Sequence, residues 1–194
     1  AFGSTGRIYA VERDNNRVSV FERNGTFVRS FGSTGGNDLQ LNKPEGVAIS
    51  PQGEVFVSDT NNHRIQVFDL NGSYLRKFGE HGDLDGRFDR PKGLAFNATG
   101  ELLVAEHGNS RIQALDANGA FLWKKTLPNS WHSSPKGISL SPDGLILIGA
   151  RGRVTILDNR GETIQVIGRL QGQTFNLHDD EAFTPVAFAS DGSY

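Results

Sequence analysis

The sequence predicts an all-β chain assembled from repeated four-stranded antiparallel sheets, and three observations predict it. Gly follows a short apolar run at Gly6, Gly53, Gly100, Gly144 and Gly192, in steps of 47, 47, 44 and 48 residues. Arg opens a later run at Arg17, Arg64, Arg111 and Arg153, in steps of 47, 47 and 42. A third set, Gly25, Gly72, Gly119 and Gly161, falls eight residues after each Arg. Three independent markers that keep one period define a repeat before any single residue is interpreted.

The second repeat gives the elements in order. Pro44-Glu45-Gly46 leads into a short strand, Val47-Ala48-Ile49. Pro51-Gln52-Gly53 is a turn, and Glu54-Val55-Phe56-Val57-Ser58-Asp59 alternates as a second strand. Thr60-Asn61-Asn62-His63 is a polar loop before Arg64-Ile65-Gln66-Val67-Phe68-Asp69, the third strand. Asn71-Gly72 predicts a tight hairpin, because both residue types tolerate positive φ. Ser73-Tyr74-Leu75-Arg76-Lys77-Phe78 is the fourth strand, and residues 79–90 form a Gly/Asp-rich return to Pro91. Four short strands per period of about 47 residues describe one blade of a β-propeller, whose sheets bury their faces on neighbouring blades. No stretch keeps a 3.6-residue apolar period, so no helix is expected.

Composition narrows the functions. The 194 residues carry a net charge of −2, so no overall field favours nucleic acid or an anionic membrane. No apolar run approaches the roughly 18 residues of a membrane-spanning helix. Cysteine is absent, which excludes disulfides and thiolate metal sites. The expected partners exclude DNA and membrane, and no cofactor is expected. Nothing fixes the compartment, although the expectation leans cytoplasmic. Three sequons, at Asn24, Asn71 and Asn97, would matter only in a secreted protein, and two of them are hairpin Asn-Gly pairs.

One motif recurs around the Arg markers: an acid, two residues, Asn, one residue, Arg and an aliphatic. It reads Asp59-Thr60-Asn61-Asn62-His63-Arg64-Ile65, Glu106-His107-Gly108-Asn109-Ser110-Arg111-Ile112 and Glu12-Arg13-Asp14-Asn15-Asn16-Arg17-Val18. A Gly-rich linker ending in Phe-x-x-Pro, residues 82–91, precedes the third repeat. These residues resemble the NHL repeat family. The fourth repeat departs, since Gly149-Ala150-Arg151-Gly152-Arg153 lacks the acid, and Pro185 stands where Gly46 and Gly93 stand earlier.

The resemblance implies one β-propeller segment over 1–194, with repeats at about 1–43, 44–90, 91–134 and 135–184 and a partial one at 185–194. Ala1-Phe2-Gly3-Ser4-Thr5-Gly6 aligns with Ala95-Phe96-Asn97-Ala98-Thr99-Gly100, which puts residue 1 inside a first strand. With no Met in the chain, the expectation is a fragment of a larger propeller, six-bladed by the resemblance and monomeric as a propeller.

Candidate chemistry follows the repeat. Asp59 with Arg64, and Glu106 with Arg111, are expected to be structural pairs that tie second to third strands, because they recur in each blade. Zinc would need three converging ligands. His63, His81, His107, His132 and His178 are scattered in sequence and are expected in solvent-facing loops, so no metal site is expected. NHL-like amidating lyases place zinc histidines after the Pro that begins the first strand. Here those positions hold Glu45, Lys92 and Lys136, with Thr184 in the aligned slot of the fifth copy. Propeller lactonases hold calcium with carboxylates near the axis, and the first strands here carry none. There is no nucleophile elbow and no phosphate-cradling loop.

Binding is therefore expected rather than catalysis. The linker before each first strand and the loop between second and third strands should share one end of the propeller. That end would carry Lys43, Arg90, Lys92 and Lys136, with His63, His107 and Arg151, and the Trp131-His132 pair. Cations beside an exposed aromatic suit an acidic peptide, or a phosphate backbone with a stacked base. The near-neutral charge favours a protein partner, with RNA the alternative. The resemblance implies a recruiting module such as the substrate-binding part of a ubiquitin ligase. A lyase or lactonase whose ligands lie in other blades, and an extracellular or bacterial sensor propeller, are the rival readings.

Overall fold

A computed structural model describes residues 1–3, 6–127, 134–150 and 153–168. Its first sheet holds β1 (Ile8–Glu12), β2 (Arg17–Phe21) and β3 (Phe27–Phe31) in that order. Phe2 bridges Ile8 in antiparallel sense, so residues 1–3 lie where the other blades place their innermost strand. A two-residue parallel ladder follows, β4 (Ser33–Thr34) with β5 (Gln40–Leu41), inside the linker.

Three four-stranded antiparallel sheets come next. The second blade runs β6 (Gly46–Ile49), β7 (Val55–Asp59), β8 (Arg64–Phe68) and β9 (Tyr74–Phe78). The third runs β10 (Pro91–Phe96), β11 (Leu102–Glu106), β12 (Arg111–Leu115) and β13 (Phe121–Thr126). The fourth runs β14 (Pro135–Leu140), β15 (Ile146–Ala150), β16 (Arg153–Leu157) and β17 (Thr163–Gly168). In each, sequence order equals spatial order. The inner strand β10 packs between β6 and β14, so the sheets stand radially with their first strands at the axis. The polar loop after β7 closes as a single 3₁₀ turn, Thr60–Asn62, and the described residues hold no α-helix.

The cores lie between blades. Val55 and Val57 point one way and pack with Tyr9, Val18 and Val20 of the first blade. Phe56 points the other way and packs with Leu102, Val104 and Phe88 of the third. This is the two-residue period of a strand with both faces covered. Every residue of β7, β8, β11 and β12 is buried. The alternation read in the second strand is therefore not the apolar/polar pattern of a half-solvated sheet. The outer strands β9 and β13 alternate between partly buried and exposed positions.

Close approach at the axis explains Gly46 and Gly93. A Cβ on Gly46 would run into the Lys92 carbonyl oxygen, and one on Gly93 would lie 2.8 Å from the Lys136 carbonyl oxygen. Neighbouring inner strands are tied there by Ser58, whose Oγ donates to the Lys92 carbonyl at 2.7 Å.

The hairpins differ from the expected form. Gly72 has φ +87°, but Asn71 is not in the left-handed region, so the turn is not the double-positive type. Gly72 N–H instead donates to the Asp69 carbonyl at 3.0 Å, and a register shift follows at Val67/Phe68. Asp69 Oδ1 accepts from the backbone N–H of Asn71 and of Ser73, each at 2.8 Å. Asp116 and Asp158 do the same in the next two blades. The local carboxylate sets this turn, with glycine closing it as a bulge.

Candidate functional site

Linkers and second-to-third-strand loops meet at one end of the molecule. His107 N–H donates to the Arg90 carbonyl at 3.1 Å, and Asn61 N–H to the Asn42 carbonyl at 3.0 Å. What holds this end is built from the repeated motif. Asp59 and Arg64 pair in register across β7 and β8, and Arg64 Nε donates to Asp59 Oδ2 at 2.7 Å. The rest of the guanidinium turns to the linker, where it donates to the carbonyls of Gly36, Asn37 and Gln40 at 2.8, 2.8 and 3.0 Å.

The remaining carboxylate valence goes to neighbours. Asn62 and Gln66 side chains donate to Asp59, and so does the Asn42 backbone N–H, at 2.7 Å. One blade on, Glu106 accepts from Arg111, Asn109 and Gln113, and Arg111 grips the carbonyls of Asp83, Leu84 and Arg87. Both acids are fully buried, and each has an Arg against it, so charge and hydrogen-bond capacity are met together. These groups face backbone inside the blade and leave nothing for a ligand.

A second constellation sits nearer the axis. Lys92 Nζ lies 2.9 Å from Glu45 Oε2, and Arg13 Nε donates to Glu45 Oε1 at 3.4 Å. His107 stands beside them half-buried. Burial, then the charges of Lys92, Arg90 and Lys136, push its pKa down to about 4, against a smaller opposing pull from Glu45. His107 is therefore neutral at physiological pH. The expectation that the loop histidines face solvent fails for His107 and for His63, whose side chain is 25 % exposed.

His63 belongs to a third constellation. Its Nδ1 lies 3.4 Å from Asp89 Oδ1, and His81 Nε2 lies 3.9 Å from the same oxygen. The two imidazoles meet edge to face with centroids 4.4 Å apart. The three candidate ligand atoms lie within 4.8 Å of one another, so scattered positions in sequence converge in space. Among the described residues no other group of three such side chains does so.

The family model of the NHL repeat matches residues 41–68 and 88–115, which are the linker end and first three strands of the second and third blades. Residues 41–68 and 88–115 thus each match one NHL repeat. No curated protein sequence matches it. Among solved structures, virginiamycin B lyase from Staphylococcus aureus superposes with a TM-score of 0.69 at 17 % identity, over 87 % of this chain and 54 % of that one. A protein of unknown function from Bacteroides caccae gives 0.64 at 14 % identity, over 96 % and 62 %. A proposed gluconolactonase gives 0.65 at 19 % identity, over 84 % and 60 %. The chain thus spans about half the length of the lyase. At these identities the likeness establishes the propeller fold alone.

Within this propeller frame the expected binding residues fall into separate groups. Arg90, Lys92 and Lys136 are all near enough to His107 for their charges to hold its pKa down. Lys43 pairs with Asp14 at 2.9 Å and is joined to the Glu45–Lys92 pair only through Arg13, which bonds both acids. His63 is drawn to His81 and Asp89 instead. Trp131, His132 and Arg151 lie outside the described residues. Arg13, His81 and Asp89 were not singled out from the sequence as site residues. The signal for the last two was present in the period: shifted back by 47 residues they fall on Thr34 and Asn42, at a linker that folds the same way.

Proposed function

We propose that this NHL segment is a binding module that recognises an acidic stretch of a protein partner through the axial end lined by Arg90, Lys92, Lys136 and His107. One observation carries the reading: Arg90, Lys92 and Lys136 all act on the half-buried His107, and the carboxylates beside them are already engaged, Glu45 by Lys92 and Arg13 and Asp89 by Arg90. Cations outnumber carboxylates beside the half-buried His107, and a partner's carboxylates gain more there than at fully solvated charges.

The segment is read as non-catalytic. The positions after each blade's opening Pro hold Glu45, Lys92 and Lys136, and none supplies an imidazole to a metal. NHL propellers recruit substrates in ubiquitin ligases, and this segment would serve in that way if a ligase module accompanies it.

The test is fluorescence anisotropy with a labelled poly-glutamate peptide and, separately, a labelled single-stranded RNA, at low and high salt. The reading expects saturable peptide binding that the Lys92→Glu/Lys136→Glu double variant weakens by roughly tenfold or more. Tighter, steeply salt-dependent RNA binding lost in the same variant would assign the surface to RNA. Lyase activity on a streptogramin B substrate would overturn the non-catalytic reading.

A further inference from the structure

We propose that His63, His81 and Asp89 form a binding site for a divalent transition-metal ion of the Zn²⁺ class, at the junction between the second and third blades. Two imidazoles and one carboxylate are a donor set that such ions take, with one position left open to water or a partner group. Tetrahedral zinc with bonds of about 2.0–2.1 Å needs neighbouring ligand atoms roughly 3.3 Å apart. The separations of 3.4 and 3.9 Å to Asp89 Oδ1 are close to that before any side chain moves.

The repeat itself provides the control. One period earlier the same three positions hold Asn16, Thr34 and Asn42. There Asn16 Nδ2 donates to Thr34 Oγ1 at 3.1 Å, and Asn16 Oδ1 accepts from Lys43 N–H at 2.7 Å. That junction closes with neutral hydrogen bonds and no ligand chemistry. His63 Nδ1 keeps one of those bonds, accepting from Arg90 N–H at 3.2 Å. An acceptor at His63 thus repeats the earlier junction, but a second imidazole at His81 and a carboxylate at Asp89 do not. Three metal-ligating types replace three amide or hydroxyl types at one junction together.

Room for the carboxylate is also built in. Gly108 has no positive φ that would demand glycine, yet a Cβ there would collide with the Asp89 carboxylate. The equivalent residue one blade back is Asn61.

Arg90 is the resident competitor. Its Nε lies 3.6 Å from Asp89 Oδ1, and its side chain is 49 % exposed, free to swing out when an ion takes its place. Binding also removes the Arg90 N–H bond to His63 Nδ1. Affinity should therefore be moderate, and should fall at acid pH as the imidazoles take up protons.

The experiment is a Zn²⁺ titration of the chain by isothermal calorimetry near neutral pH, with metal content after equilibrium dialysis. One ion per chain is expected. His81→Ala, at a side chain 69 % exposed and safe for folding, should weaken binding by roughly tenfold or more, as should Asp89→Asn. Arg90→Ala should strengthen it. No binding by the unaltered chain, binding unchanged in His81→Ala, or binding lost instead in His132→Ala or His178→Ala would each overturn the site.

Discussion

Arg64 faces Asp59 across two buried strands and, with its free nitrogens, holds three carbonyls of the linker that enters the same blade. The pair is 9 % and 0 % exposed, so the loss of one partner strands a charge in the interior. Arg64→Ala should cost about 3–5 kcal/mol. Arg64→Lys should recover little, because an ammonium cannot span the acid and the linker at once. Urea denaturation of the two variants checks both statements, and a Lys variant as stable as the parent would refute the forked role.

Hairpin glycines should differ according to what stands over them. At Gly72 a Cβ would lie 2.5 Å from the Phe31 ring of the preceding blade, whereas at Gly53 its nearest neighbour is Leu70 at 3.6 Å. Both have positive φ, +87° and +85°. Gly53→Ala should cost only the left-handed strain, about 1–2 kcal/mol. Gly72→Ala should add about 1–3 kcal/mol of overpacking. Equal melting temperatures for the two variants would contradict the inter-blade contact.

The carboxylate of Asp116 holds the N–H groups of Asn118 and Ala120 at 2.8 and 2.9 Å. Asp116→Ala should cost about 1 kcal/mol, with faster amide exchange confined to residues 116–120. Exchange measured by NMR reads this directly. A spread of the effect to β11 would mean that the carboxylate supports more than its own turn.

His107 gives the chain an acid-sensitive window. Burial and three nearby cations hold its folded pKa at about 4, below the ordinary imidazole value of 6.5. The unfolded chain therefore binds a proton first as pH falls. Stability from this group is complete above about 6.5 and is lost progressively down to about 4. A melting-temperature profile should flatten across that window in His107→Gln. A His107 NMR titration midpoint near 6.5 would remove the basis for it.

Much of the fold was legible because its signals are local and repeated. The Gly72 and Arg64 families mark hairpin and strand in every blade, and one period lines them up. The Asn71-Gly72 pair misled about turn type, since the deciding contact comes from the Asp69 side chain two and three residues earlier. Alternation along β7 was hard to interpret because neighbouring blades cover both its faces. His63, His81 and Asp89 escaped notice for a geometric reason. They come from a loop and from two ends of a linker, and only the closure of that linker brings them together. The period could have located them, had it been applied to the linker side chains as well as to the motif.

Arg64 and Arg111 recognise their linkers only through main-chain oxygen, a group that every residue type possesses. Exchange of a linker side chain such as Leu84 thus leaves the arginine's grip on the strap intact, while Asp38 and Asp85 add ion pairs of their own to Lys77 and Lys124. New recognition chemistry can arise on that strap while the scaffold beneath stays the same, one blade at a time.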